Sequence, residues 1–138
     1  MADVNNVYKK AEYTTFKLLN DATYNLEVGG YSSSVNHYVG DALTFHNGAK
    51  FSAKDQDNDE NNVENCATKY ESAGWFRNDP CYEANPFGKF LDSRDAEAYK
   101  GVVWRPYDGW TNSLNWLTLK LERTSAGNFI PFGNVFEF

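Results

Sequence analysis

Between Lys54 and Lys100 the chain carries almost no regular pattern; the stretch is rich in Asn, Asp, Gly and Pro, with isolated aromatics. A segment that long without secondary structure of its own survives inside a compact domain only when something pins it or uses it. Two features inside it can do so. One is the cysteine pair Cys66 and Cys81, and the other is the acidic run KDQDNDENNVENC over residues 54–66. The cysteines are not in a CxxC arrangement and no histidine lies near them, which argues against zinc. Joined, they would close this loop, stabilise by roughly 3 kcal/mol in the loop-entropy picture, and imply an oxidising compartment. Left apart, they would be two buried thiols. Spacing alone keeps both readings open.

The acidic run holds Asp55, Asp57 and Asp59 at alternate positions, followed by Glu60 and Glu64. So many like charges repel unless water or a cation intervenes. Calcium takes six to eight oxygens from carboxylates, carbonyls and water. The EF-hand arrangement fails here: counting from Asp55, position 6 is Glu60 where glycine is required, and position 12 is Cys66 where glutamate is required. A calcium site in this run therefore has another form, completed by carbonyls of segment 60–65. Otherwise the run is a solvated loop.

The 138 residues, 41% of them hydrophobic, fit one globular domain over 1–138. Aromatics reach 17%, which suits an irregular fold or a lined pocket. With a net charge of −6 and no basic patch, nucleic acid is an unsuitable partner. No stretch is long and apolar enough to insert in a membrane, and the opening MADVNNVYKK has no apolar signal core. No nucleophile–base pair, acid/base pair or phosphate-binding glycine loop is identifiable, so the expectation is a non-enzyme. His37 and His46 are isolated, and His46 reads as a hydrogen-bonded structural residue. Asp92, Asp95 and Glu97 read as charged loop residues.

Strand signals flank the irregular stretch. YTTFKLL (13–19) and TYNLEVGGY (23–31) alternate and predict a hairpin turning at Asn20-Asp21. ALTFHNGAKFS (42–52) predicts a second hairpin about Asn47-Gly48. GVVW (101–104) resumes regular structure, and SLNWLTLKLER (113–123) predicts a strand buried on one face. The tail FIPFGNVFEF (129–138) is markedly apolar, while helix signal is weak throughout. Trp75, Trp104 and Trp116 read as packing residues. The expected fold class is α+β and β-rich: a small antiparallel sheet from 5–53 and 101–123, a loop-rich binding lobe over 54–100, and an apolar tail over 124–138.

YNLEVGGYS, GDALTFHNGAKFSAKDQDND, NCA, GWFRN with a later cysteine, GVVW, GW and SLNWLTLKLER stand in this order. The pattern resembles the fibrinogen-related domain of fibrinogen chains, ficolins, tachylectins, tenascins and angiopoietins. It covers about residues 6 to 123 and corresponds to the second and third subdomains, with no counterpart of the N-terminal one. The resemblance implies a fibrinogen C-terminal-like fold and a Cys66–Cys81 disulfide. It also implies a Ca2+ site with Asp57 and Asp59 as carboxylate ligands and carbonyls from near Asn61 or Asn62 and from Glu64. An aromatic cage of Tyr70, Tyr99 and Trp110 would lie beside the backbone at Cys81, with a cis peptide before that cysteine. Tyr82 stands where the family carries histidine, and the preceding segment has become RNDPC, so Asp79-Pro80 is a second candidate for a cis bond. The implied function is a secreted lectin for acetylated sugars, N-acetylhexosamine or sialic acid, with Arg77 or Arg105 meeting a sialate carboxylate. The alternative within the family is a protein-interaction domain that binds no sugar. Multivalency would suit a lectin, and the tail from Phe129 is the candidate for association into a homo-oligomer.

Overall fold

The structure, a computed structural model, describes residues 9–19, 22–91, 99–121 and 134–137. Strands β1 (Lys10–Leu18) and β2 (Leu26–Ser32) pair antiparallel, with Tyr13 opposite Tyr31 and Phe16 opposite Val28. The hairpin expected here forms, with a connection over 19–25; the proposed turn residues Asn20 and Asp21 lie outside the described residues. The buried side switches along β1. Ala11 and Tyr13 are buried at one end, whereas Phe16 is buried on the opposite side with Val28 and Leu26. Both faces of this hairpin are therefore covered over part of their length.

The four-stranded sheet has the order β2–β1–β8–β7, counting β7 (Thr118–Lys120) and β8 (Asn134–Glu137). β8 runs antiparallel to both neighbours, with Asn134 opposite Tyr13 and Val135 opposite Lys120. Part of the apolar tail thus forms an inner strand, while 124–133 and 138 lie outside the described residues. Two short ladders join the lobe to the sheet region: β3 (Phe51–Ser52) with β4 (Gly74–Trp75), and β5 (Ala84–Asn85) with β6 (Val103–Trp104). Single-turn helices α1 (Cys66–Lys69) and α2 (Arg105–Asp108) complete the fold, with Pro106 in the first turn of α2, where its missing N–H costs nothing.

Two expectations from sequence are corrected. Residues 42–52 do not form a hairpin. Leu43–His46 is a 3-10 turn closed by Asn47 N–H on Thr44 O, and Phe51–Ser52 pairs with β4. Tertiary partners outcompete the local turn signal, because Leu43 and His46 are buried and Asn47 Oδ1 accepts from Val28 N–H at 2.9 Å. In the second case, 113–123 is a strand only over 118–120 among the described residues. Leu114 is buried and donates its N–H to Val102 O, but Leu119 on this edge strand and Leu121 just past it are 38% and 48% exposed, and Trp116 is 36% exposed.

The core gathers Tyr13, Phe16, Leu26, Val28, Val39, Leu43, Val102 and Trp104. Two of its polar side chains reach partners. Tyr13 Oη donates to Asp41 Oδ1 at 2.9 Å and accepts from Leu43 N–H at 3.2 Å, while Trp104 Nε1 donates to Gly40 O at 3.0 Å. Gly40 requires glycine: its φ is +75°, and an added Cβ would stand 2.4 Å from Pro106 Cβ.

Candidate ligand-binding site

The irregular lobe is organised by short polar side chains that replace missing secondary structure. Asn65 Oδ1 caps α1 by accepting from Thr68 N–H at 2.8 Å. Asp59 uses both carboxylate oxygens, Oδ1 accepting from Asn61 N–H and Oδ2 from Cys66 N–H, each at 2.8 Å. Asp57 Oδ1 accepts from Asp59 N–H at 3.3 Å. Asn58 fastens the acidic run to β3, donating its N–H to Ser52 Oγ and its amide to Phe51 O, both at 2.9 Å. Desolvation by burial pushes the Asp59 carboxyl up; its two backbone hydrogen bonds oppose this, and the nearby Asp57 charge adds to it.

Cys66 and Cys81 are bonded to each other, with Cα atoms 6.0 Å apart. The bond brings the end of the acidic run against the loop over 77–81. Two further contacts tie the same two segments, the Arg77–Glu60 ion pair at 2.6 Å and Asn61 Nδ2 donating to Asn78 O at 3.4 Å, while Arg77 N–H closes its own loop on Cys81 O at 2.8 Å. The cis peptide among the described residues is Asp79–Pro80. The cis bond expected directly before Cys81 is thus found one residue earlier, at the proline, where the isomer costs least.

Beside this loop opens a cavity of about 170 Å³, walled by the rings of Tyr70, Tyr82, Tyr99 and Trp110 and floored by Asp79, Pro80 and Cys81. The rings stand as two edge-to-face pairs, Tyr70 with Tyr82 at 5.0 Å and 83°, and Tyr99 with Trp110 at 6.2 Å and 87°. Tyr82 is 3% exposed, whereas Tyr99 and Trp110 are 42% and 36% exposed, so the wall grades from core to rim. The Tyr82 hydroxyl donates to Tyr99 O, holding Tyr99 at a φ of 65°. Burial raises the Tyr82 phenol, with Tyr70 and Tyr99 adding to the effect, so it is a neutral donor at neutral pH.

His46 joins three segments. Its Nδ1 donates to Trp75 O at 2.6 Å, and its Nε2 accepts from Glu83 N–H at 3.2 Å and Ala84 N–H at 3.0 Å. This is the structural role expected for it. The arrangement requires a neutral imidazole, and burial lowers its pKa from 6.5 to about 4. The next residue along, Glu83, is 8% exposed and pairs with Arg105, whose guanidinium carbon lies 5.0 Å from the Trp110 ring centre.

The residues expected in the pocket are largely brought together: Tyr70, Cys81, Tyr82, Tyr99 and Trp110 share one cavity. Arg77 does not line it. Its guanidinium is committed to Glu60, Phe45 O and Asn47 O. The Glu64 side chain pairs with Lys69, so the group that the calcium expectation concerns is its backbone carbonyl. Asn61 Oδ1 accepts from Val63 N–H at 2.9 Å and Glu64 N–H at 3.3 Å, so the carbonyl again is what it offers. Among the described residues no three His, Cys, Asp or Glu side chains converge as a metal cluster. Asp92, Asp95 and Glu97 lie outside the described residues. Sequence reading left out Asp79 and Pro80 as lining residues, although both sit in RNDPC beside Cys81.

The family model for the fibrinogen beta and gamma chains, C-terminal globular domain, matches residues 1–124. Fibrinogen C domain-containing protein 1-B of Xenopus laevis is 36% identical over 124 residues, covering 88% of this chain and 26% of that protein. Ryncolin-4 of Cerberus rynchops is 32% identical over 122 residues, covering 88% and 34%. Tenascin of Gallus gallus is 36% identical over 105 residues, covering 76% and 5%. The chain thus spans about a quarter of the first of these relatives. The solved fibrinogen-like globe domain of human ANGPTL2 superposes with a TM-score of 0.65 at 24% identity, covering 80% of this chain and 56% of that one.

Proposed function

Because the chain belongs to the fibrinogen C-terminal globular domain family, we propose that it is a secreted binding module whose aromatic cavity takes the acetyl group of an N-acetylated sugar. The observation that carries this reading is the four-ring wall at Cys81. A methyl group gains from leaving water against aromatic surface, and a small cavity with few polar groups suits one short acyl group. N-acetylhexosamine fits better than sialic acid, because Arg77 and Arg105 each have a carboxylate partner inside the protein. The disulfide supports an oxidising, extracellular setting.

The test is retention on immobilised N-acetylglucosamine, with glucosamine as the control surface. The folded protein is expected to bind the acetylated surface alone. Trp110→Ala, which removes the more exposed wall, is expected to cut retention at least tenfold without changing the melting temperature by more than a few degrees. Equal binding to both surfaces, or none, would refute the sugar reading in favour of a module that contacts proteins.

Calcium belongs to the same proposal. Asp57 and Asp59 would hold it, with carbonyls of Asn61 or Asn62 and of Glu64. The donor set fits, since each Asp59 oxygen keeps a lone pair beyond its one backbone N–H. When bound, the ion would neutralise two adjacent acids and stiffen the run that Glu60 and Asn61 tie to the 77–81 loop. At a hundredfold excess over Kd, calcium should add about 2.7 kcal/mol of stability. Asp57→Ala/Asp59→Ala should abolish that gain. A melting temperature indifferent to calcium in the unaltered protein would exclude the site.

A further inference from the structure

The cavity carries a second recognition chemistry, one that its charge distribution selects. Of the described residues lining it, Asp79 alone has a charged side chain. The cations closest to the rings stand outside the lining and are already matched. Lys69 lies 5.2 Å from the Tyr70 ring centre and pairs with Glu64; Arg105 lies 5.0 Å from the Trp110 ring centre and pairs with Glu83. Among the described residues the lining therefore consists of four electron-rich ring systems, one carboxylate and no cation. All of it favours a cation and none of it favours an anion.

The kind of cation follows from the donors a ligand would need to satisfy. A primary ammonium must find acceptors for three N–H groups. Here the Tyr99 carbonyl already accepts from the Tyr82 hydroxyl and the Cys81 carbonyl from Arg77 N–H, so each keeps one lone pair, and the Asp79 carboxylate at the edge is the acceptor that would draw a primary ammonium away from the rings. A quaternary ammonium has no N–H to satisfy. It presents methyl groups to the rings and spreads its charge toward them, which is the match that aromatic cages make with methylated ammonium groups. The cavity of about 170 Å³ has room for a single such headgroup, and the net charge of −6 favours its approach.

We propose that the cavity walled by Tyr70, Tyr82, Tyr99 and Trp110 and edged by Asp79 binds a trimethylammonium headgroup. This rests on the same pocket being a ligand site, but not on the sugar reading of it. Choline and 3,3-dimethyl-1-butanol have nearly the same shape and differ in the charge of the headgroup, so together they isolate the electrostatic contribution.

The experiment is a titration of the intact disulfide-bonded protein with choline chloride, with 3,3-dimethyl-1-butanol, and separately with N-acetylglucosamine, followed by tryptophan fluorescence and calorimetry. Choline is expected to bind about tenfold tighter than its neutral isostere. Asp79→Asn should narrow that ratio, and Trp110→Ala should remove binding of both. Phosphocholine and Nε-trimethyllysine, titrated in parallel, distinguish a lipid-type source of the headgroup from a peptide one. Choline binding no tighter than the isostere, or not binding to protein shown to be folded by circular dichroism, overturns the proposal. N-acetylglucosamine binding without choline binding does the same while leaving the sugar reading intact. Choline binding without sugar binding refutes only the sugar reading.

Discussion

Acidifying the protein from pH 6.5 to pH 4 should cost about 3 kcal/mol of stability through His46 alone. In the folded chain its pKa is lowered from 6.5 to about 4 by burial, and its Nε2 must stay unprotonated to accept from Glu83 and Ala84 N–H. The unfolded chain takes up a proton near pH 6.5, which the folded chain resists until about pH 4. Between these values the unfolded state binds more protons, so stability falls as pH falls. Above pH 6.5 the contribution is intact, and below about pH 4 this group costs nothing further. Glu71 acts in a different window. It is held down to about 2 by hydrogen bonds from Lys100 and then Lys89, so its effect begins only below its ordinary 4.5. Urea titrations at steps from pH 7.5 to 4 should therefore show a decline that His46→Gln removes. That variant should also be less stable at pH 7, because two backbone donors lose their acceptor. A variant with the same slope as the unaltered protein would show that His46 is not the group responsible.

Removing the disulfide through Cys66→Ala with Cys81→Ala is expected to lower stability by about 3 kcal/mol at neutral pH, the loop-closure value for a crosslink of this span; the two cysteines are 15 residues apart. Binding should suffer beyond that loss. Cys81 lines the cavity, and the bond is what presses the loop over 77–81 against α1, which is followed by Tyr70. The expected pattern is a lower urea midpoint together with loss of ligand binding under conditions where the chain is still folded. The ion pair of Arg77 with Glu60 will not compensate, since half-exposed pairs contribute little. An unchanged midpoint would mean that the remaining contacts of the lobe suffice without the crosslink.

The strands β1 and β2 were legible because Ala11 and Tyr13, and then Leu26 and Val28, are buried at alternate positions, although the buried side of β1 switches before Phe16. The 42–52 segment was not, because its Asn-Gly signal is local. What decides its shape is His46 reaching Trp75, Glu83 and Ala84, partners 29, 37 and 38 residues away. The strand expected over 113–123 shrank for a related reason: Leu119 lies on an edge strand and Leu121 just past its end, where an alternating pattern no longer implies burial. In the pocket, the aromatic residues were found through family resemblance rather than through any period, since their positions along the chain are irregular. Arg77 lies outside the described lining of the cavity, engaged by partners that composition does not reveal. Glu60, which holds it, reads in sequence as one more acid in a crowded run.

The position of β8 bears on how the molecule is made. A ribosome releases β1 and β2 early, and they can meet as a hairpin at once. The neighbour that β1 needs on its other side spans Asn134–Glu137, more than a hundred residues downstream of Lys10. Until synthesis reaches that point, β1 presents a row of unpaired N–H and C=O groups, and β7 has no partner in the sheet. Pairings of such long sequence separation form slowly, because a large loop must close before any contact rewards it. The nascent chain therefore carries an open sheet edge throughout the synthesis of the residues between β1 and β8, and its exposure to chaperones and to other copies of itself ends only once Asn134–Glu137 has left the ribosome.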